Sequence, residues 1–320
     1  MAPNPNAAAP RQTYPLAPAA EEASGWDAAA LMRETDWQID LTAACAADLI
    51  QAASRQAERP VEQLDARDQP GAALPELAAR VRHILAQGCG VVWLRGLPGV
   101  EEPLLRRIYG LLAGCIGTPI DTYGRQYDVH DSGRSHLAQA IPVSQTNAET
   151  SFHTDSSSVR VEPDAVGLLC VRRARHGGRS LVSSARRAHA CLRAADPRAL
   201  QLLYRDYIRD LVTPGLQATD IIANRFPVFR WDQQYGLTLR YMRYWIEKGH
   251  ERAGLALDAD EVAALDRLDA LLGAPEHVVG FDLDPGDMLW VNNRSVAHNR
   301  TSYEDNPDSP RLMVRMWINL

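Results

Sequence analysis

Lysine is almost missing from this chain: among 320 residues Lys248 is the only one, and arginine carries the rest of the fixed positive charge. With so much alanine besides, this marks the coding bias of a GC-rich genome. An arginine cluster such as RRARHGGR (172–179) therefore says little about phosphate binding and reads as a solvated hairpin edge. The net charge of -6 gives no electrostatic footprint for nucleic acid or an anionic membrane. Cysteine is sparse and unpaired: Cys45, Cys89, Cys115, Cys170 and Cys191 are odd in number, scattered, and form no C-x-x-C. That excludes a disulfide scaffold and fits buried, reduced thiols. No apolar run approaches the roughly 20 residues a membrane helix needs. The first residues, MAPNPNAAAPRQTYPLAPAAEEASG, lack the basic start and apolar centre of a signal peptide, so the expected location is cytoplasmic. There is also no G-x-G-x-x-G after a strand and no phosphate loop, which argues against a nucleotide-binding doubly wound sheet.

Residues 1–25 are rich in Ala and Pro and poor in large apolar side chains, so they read as a mobile tail before a single domain spanning 26–320. Helical spacing of apolar residues marks 41–56, 74–88 and 102–115, with Gly88 as a C-terminal cap. GVVWLRGLP (90–98) reads as a short strand. Further on, DAVGLLCVRRA and RSLVSSA read as two strands joined by a hairpin at HGG, and GLTLRYMRYW (236–245) alternates like another strand. DADEVAALDRLDALLG (258–273) is an amphipathic helix capped by Asp258 or Asp260. The end, VVGFDLDPGDMLWVNN and RLMVRMWINL, is strand-like. Helices first, then short strands without a βαβ rhythm, predict a mainly β fold of jelly-roll type with flanking helices.

Chemistry concentrates in SFHTDSSS (151–158). On a strand, His153 and Asp155 at i and i+2 face the same way and can converge on one ion. The competing reading is a turn or helix start with Asp155 or Ser156 as the cap. A third donor, His298, follows the apolar strand MLWV and a polar turn. Two histidines and one carboxylate are the facial triad of non-haem Fe(II) oxygenases, which leaves three adjacent positions free. A chelating keto acid such as 2-oxoglutarate would need a fixed cation for its far carboxylate, ideally the planar fork of arginine. Arg311 and Arg315 lie 13 and 17 positions beyond His298, at even offset from each other on the last apolar strand.

The order H-T-D, HGGRSLVSS, PGD, a distal histidine and RLMVR resembles the taurine/2-oxoglutarate dioxygenase (TauD/TfdA-like) family over roughly residues 88–320. The resemblance implies a double-stranded β-helix, with His153, Asp155 and His298 binding Fe(II). It also implies a hydroxyl contact to 2-oxoglutarate from Ser180, where the family commonly has threonine. Arg311 would hold the distal carboxylate, and Arg315 would sit near the cosubstrate or an anionic substrate. The implied reaction consumes O₂ and 2-oxoglutarate, releases succinate and CO₂, and hydroxylates or desaturates a small molecule. Related halogenases replace the metal carboxylate with a small residue, whereas Asp155 is present here. Tyr127, His130, Arg240 and Tyr241 are candidates for lining the substrate side. The other histidines (83, 136, 176, 189, 250, 277) read as surface or packed residues. The competing functional class is a non-catalytic jelly-roll binding or scaffold protein. Expected partners are a small-molecule substrate, with no nucleic acid and no membrane; assembly as a homo-oligomer is left open.

Overall fold

The computed structural model describes residues 11–68, 71–97, 99–122, 124–133, 143–158, 160–210 and 218–320. Its centre is a seven-stranded sheet. The strands are β1 (Gln38–Asp40), β2 (Val91–Arg95), β3 (Thr118–Pro119), β4 (Tyr127–Val129) and β5 (Ala165–Arg172). Across the other sheet run β6 (Ser180–Ser184) and β7 (Val278–Phe281). β8 (Met288–Asn292), β9 (Val296–Arg300) and β10 (Leu312–Asn319) follow in the chain. The large sheet has the order β1-β2-β8-β5-β10-β3, with β4 also pairing β10; the small one is β7-β6-β9. Among the described residues these strands do not close into a barrel.

The two faces of the large sheet have different jobs, and strand alternation assigns them. Gly167, Trp290 and Met316 point to one face, beneath helix α1 (Ala73–Gln87) and helix α2 (Glu102–Ile116), which pack on it. Gly167 has to be glycine: a Cβ there would lie 2.5 Å from both Trp290 Cζ3 and the Tyr109 hydroxyl. Val166, Leu168, Leu289, Val291 and Arg315, the intervening positions, line a cavity on the opposite face. Ser180, Leu181 and His298 of the small sheet line the same cavity from its other side.

Several expectations change here. The helices hold more residues than the strands, so the fold is mixed rather than mainly β. The helices read at 41–56, 74–88, 102–115 and 258–273 form as Ala43–Ser54, Ala73–Gln87, Glu102–Ile116 and Ala259–Leu272. The last has a capping box on Asp258. The expected hairpin does not form: β5 and β6 belong to different sheets. The HGG segment pairs instead with Tyr303–Glu304, and Gly177 and Gly178, at φ 72° and 74°, turn the chain across the gap. Only Gly236–Leu239 of the segment 236–245 is strand; helix α3 (Arg243–Ala253) starts soon after.

The reading of residues 1–25 as a tail fails for 11–25. Ala17 is 2% exposed, the Tyr14 N–H donates to the Tyr204 carbonyl at 3.0 Å, and Glu22 meets His189 and Arg193 at 2.5 and 2.6 Å. Composition hid this because Tyr14, Leu16 and the two glutamates dock as isolated side chains rather than as a periodic face. Residues 1–10 and His136 lie outside the described residues. Arg173 and Arg179 are exposed and pair with Asp284 and Asp282, as a solvated edge would.

Candidate metal centre

His298 is the middle residue of β9. His153 joins it by an isolated antiparallel bridge, exchanging backbone hydrogen bonds of 3.0 and 2.9 Å. Directly opposed residues of such a pair carry their side chains on the same face. The two imidazoles accordingly stand with centroids 4.4 Å apart. Ser151 and Ser156 flank the H-T-D stretch at φ 58° and 60°. Left-handed backbone is uncommon outside glycine and is stored where the surroundings impose it, here on both sides of the putting-in of two donors. The intervening Thr154 is fixed by Tyr241: its N–H donates to the Tyr241 carbonyl at 2.7 Å, and its hydroxyl accepts from the Tyr241 N–H at 2.9 Å. Asn293 completes the frame, accepting from the Asp155 N–H at 2.8 Å and donating to the Asp155 carbonyl at 3.0 Å.

Asp155 Oδ1 lies 3.5 Å from His153 Nε2 and 3.6 Å from His298 Nε2, and the three donor atoms fall within 4.8 Å of one another. The His153 Nδ1–H donates to the Ser151 carbonyl at 2.9 Å, which leaves the Nε2 lone pair facing inward. Burial resists the charge on Asp155, but Arg315 and the two histidines outweigh it and hold its carboxyl well below the usual range. Burial, then the neighbouring His153, lowers the His298 pKa, keeping the ring neutral and able to ligate. Two imidazole nitrogens and one carboxylate oxygen fit Fe(II) by donor chemistry.

Ser180 (5% exposed), Arg311 (4%) and Arg315 line the same cavity. Arg311 Nη1 is buried without a hydrogen-bond partner, so this donor is available to a bound anion. Arg315 also contacts the triad carboxylate, a contact the sequence did not suggest: its Nη1 lies 3.2 Å from Asp155 Oδ2. Trp317, unforeseen in the sequence, donates to that oxygen at 2.7 Å. Both follow from β10, where Val314, Met316 and Ile318 are buried in the core and Arg315 and Trp317 alternate with them.

The other candidates separate. Tyr127 stands 5.0 Å beneath the Arg315 guanidinium and accepts from Gln145 at 2.5 Å. His130 is exposed and outside the cavity. Arg240 turns away, donating to the Ser157 carbonyl and pairing with Glu162 at 3.2 Å. The Tyr241 side chain is buried against Asp269, so only its backbone serves the site.

A model of the family described as "Taurine catabolism dioxygenase TauD, TfdA family" matches residues 58–317. The chain belongs to this family. It is 30% identical over 314 residues to FR-33289 synthase of Streptomyces rubellomurinus (strain ATCC 31215), covering 93% of this chain and 89% of that protein. It is also 31% identical over 181 residues to a uridine-5'-phosphate dioxygenase of Streptomyces sp, across 54% of this chain and 63% of that one. Among solved structures, asparagine oxygenase superposes with a TM-score of 0.68 at 20% identity, covering 89% and 93% of the two chains. The oxygenase OrfP, in complex with Fe and alpha-ketoglutaric acid, gives 0.62 at 17% identity, covering 88% and 94%. This TauD/TfdA member is thus an Fe(II)- and 2-oxoglutarate-dependent dioxygenase acting on a small molecule. A non-catalytic scaffold is not favoured. Among the described residues no helix is long and apolar enough to cross a membrane.

Proposed function

We propose that His153, Asp155 and His298 hold the catalytic iron, that Arg311 and Ser180 hold 2-oxoglutarate, and that the enzyme hydroxylates a small metabolite. The observation that carries this reading is one cavity bordered by three convergent donors and by a buried guanidinium with a free Nη1. Bound Fe(II) would supply the activation of O₂ coupled to oxidation of the keto acid. In balance, substrate C–H, 2-oxoglutarate and O₂ give C–OH, succinate and CO₂.

The protein's own part is orientation. Ser151 fixes the His153 tautomer, and Trp317 with Arg315 engages Asp155 Oδ2 so that Oδ1 faces the imidazoles. Arg311 meets the distal carboxylate, and the apolar wall of Val166, Leu168, Leu289 and Val291 suits the methylene stretch of the keto acid. Arg315 and Tyr127 together form the border between the metal and the substrate side. The two facing sheets support a double-stranded β-helix, and five unpaired cysteines support a reducing compartment such as the cytoplasm.

Succinate formation tests the reading: wild type supplied with Fe(II), O₂ and a panel of small metabolites should consume 2-oxoglutarate, and His298→Ala should not. Equal turnover by the two would refute the assignment.

A further inference from the structure

Arg311 is not the only arginine in the cavity wall. Arg300, two residues beyond His298 on β9 and therefore on the same strand face, is 7% exposed and lines it too. The two guanidinium carbons lie 4.7 Å (Arg300) and 5.0 Å (Arg311) from the centroid of one ring, that of Tyr303. Arg300 Nη1 donates to the Thr146 carbonyl at 2.8 Å, and its Nη2 donates to the Ala148 carbonyl. The loop so tied leads into His153: the Thr150 N–H donates to the Arg300 carbonyl, and the Arg300 N–H to the Thr150 hydroxyl. Among the described residues neither guanidinium has a carboxylate within ion-pair distance.

Burying one charge without a counter-ion is costly; burying two like charges around one ring is costlier still. A guanidinium keeps its proton in a protein, so the buried Arg300 is a fixed positive charge. Tying down a loop needs donors for two carbonyls, not a positive charge beside another buried arginine. The charge is explained by an anion that enters the cavity. We propose that Arg300 is a second positioning residue for the cosubstrate. Its charge acts on the distal carboxylate that Arg311 binds, and its two carbonyl contacts keep Tyr303 and Arg311 in register with the metal strand. This rests on the assignment of Arg311 to 2-oxoglutarate made above.

The test compares 2-oxoglutarate with 2-oxovalerate, which has the same keto-acid end and no distal carboxylate. Each is titrated anaerobically into the full-length, Fe(II)-loaded enzyme and followed by the visible band of the chelate. Fe(II) affinity is read separately from tryptophan quenching. In Arg300→Gln, 2-oxoglutarate should bind roughly tenfold more weakly, as loss of one nearby charge implies. Binding of 2-oxovalerate and of Fe(II) should stay within about twofold. Arg300→Lys, which keeps the charge, should retain the preference for 2-oxoglutarate over 2-oxovalerate, and it carries the test if the Gln variant does not fold. Unchanged 2-oxoglutarate binding in Arg300→Gln, an equal loss for both keto acids, or loss of the preference in Arg300→Lys overturns the proposal. Arg311→Gln is run in parallel. If it leaves 2-oxoglutarate unaffected, the underlying assignment fails; if it weakens binding while Arg300→Gln does not, only the role of Arg300 fails.

Discussion

The indole Nε1–H of Trp317 donates to Asp155 Oδ2 across 2.7 Å, and Arg315 Nη1 reaches the same oxygen at 3.2 Å. With that oxygen engaged, Oδ1 is the one that faces both imidazoles, at 3.5 and 3.6 Å. A carboxylate so held offers one oxygen to a metal and leaves neighbouring positions for cosubstrate and O₂.

Trp317→Phe keeps the ring and removes the donor. Contacts of this kind, made to a ligand rather than to the metal, are worth about 10–100-fold in metal affinity. Fe(II) titration should show a weakening in that range, with the fold retained by circular dichroism. Wild-type Fe(II) affinity would remove Trp317 from the account.

The two arginines of β10 should behave differently. Arg311→Ala is expected to weaken 2-oxoglutarate far more than iron, because the distal carboxylate loses its charge-assisted donors, about 1.5–3 kcal/mol for each bond. Arg315→Ala is expected to weaken Fe(II) as well, since Asp155 loses its nearest fixed positive charge. Apparent affinities for both ligands decide this. Dominance of Arg315 in cosubstrate binding would reverse the assignment.

The triad and the order of the motifs were legible because each donor sits in a short signature with strand polarity around it. The partners of those donors were not. Trp317 and Asn293 act on Asp155 from 162 and 138 residues away, and neither residue type announces such a contact in a sequence. Four helices with periodic apolar faces were legible. Ala185–Ala195 was not, although it buries Ala185, Ala188, His189 and Leu192 at helical spacing, because its face is built largely from alanines and a histidine. The hairpin error at HGG arose because local turn chemistry specifies a reversal but not which sheet receives the returning strand. Residues 11–25 failed for a related reason: isolated side chains buried in someone else's core leave no pattern.

Chloride should have no effect on product identity. On the proposed assignment Asp155 fills the position that related halogenases free by carrying a small residue there. Mass spectrometry of product formed in high chloride should show a gain of one oxygen from labelled O₂, or loss of two hydrogens if desaturation occurs. A chlorine isotope pattern would contradict the assignment.

Stability should carry a pH signature from His250, away from the site. Its Nε2 accepts from the Ile208 N–H at 3.1 Å and its Nδ1–H donates to the Leu255 carbonyl at 2.7 Å, so the fold requires the neutral ring. Burial pushes its pKa down from 6.5 to about 4. The unfolded chain therefore takes up the proton first on acidification. This contribution is intact above about pH 6.5 and is lost as pH falls towards 4, by at most about 1.4 kcal/mol per pH unit. Urea unfolding across that window should give a flatter profile for His250→Gln than for wild type. Parallel profiles would show that another group is responsible.

The most direct measurement is anaerobic addition of Fe(II) and 2-oxoglutarate to wild type and to His153→Ala, Asp155→Ala and His298→Ala. Wild type should develop the weak visible charge-transfer band of an iron-bound keto acid, and each folded variant should lose both the band and retained iron, since three protein ligands leave no redundancy in an open site. A folded wild-type protein that gives no band, or any one variant that keeps it at wild-type strength, would contradict the account.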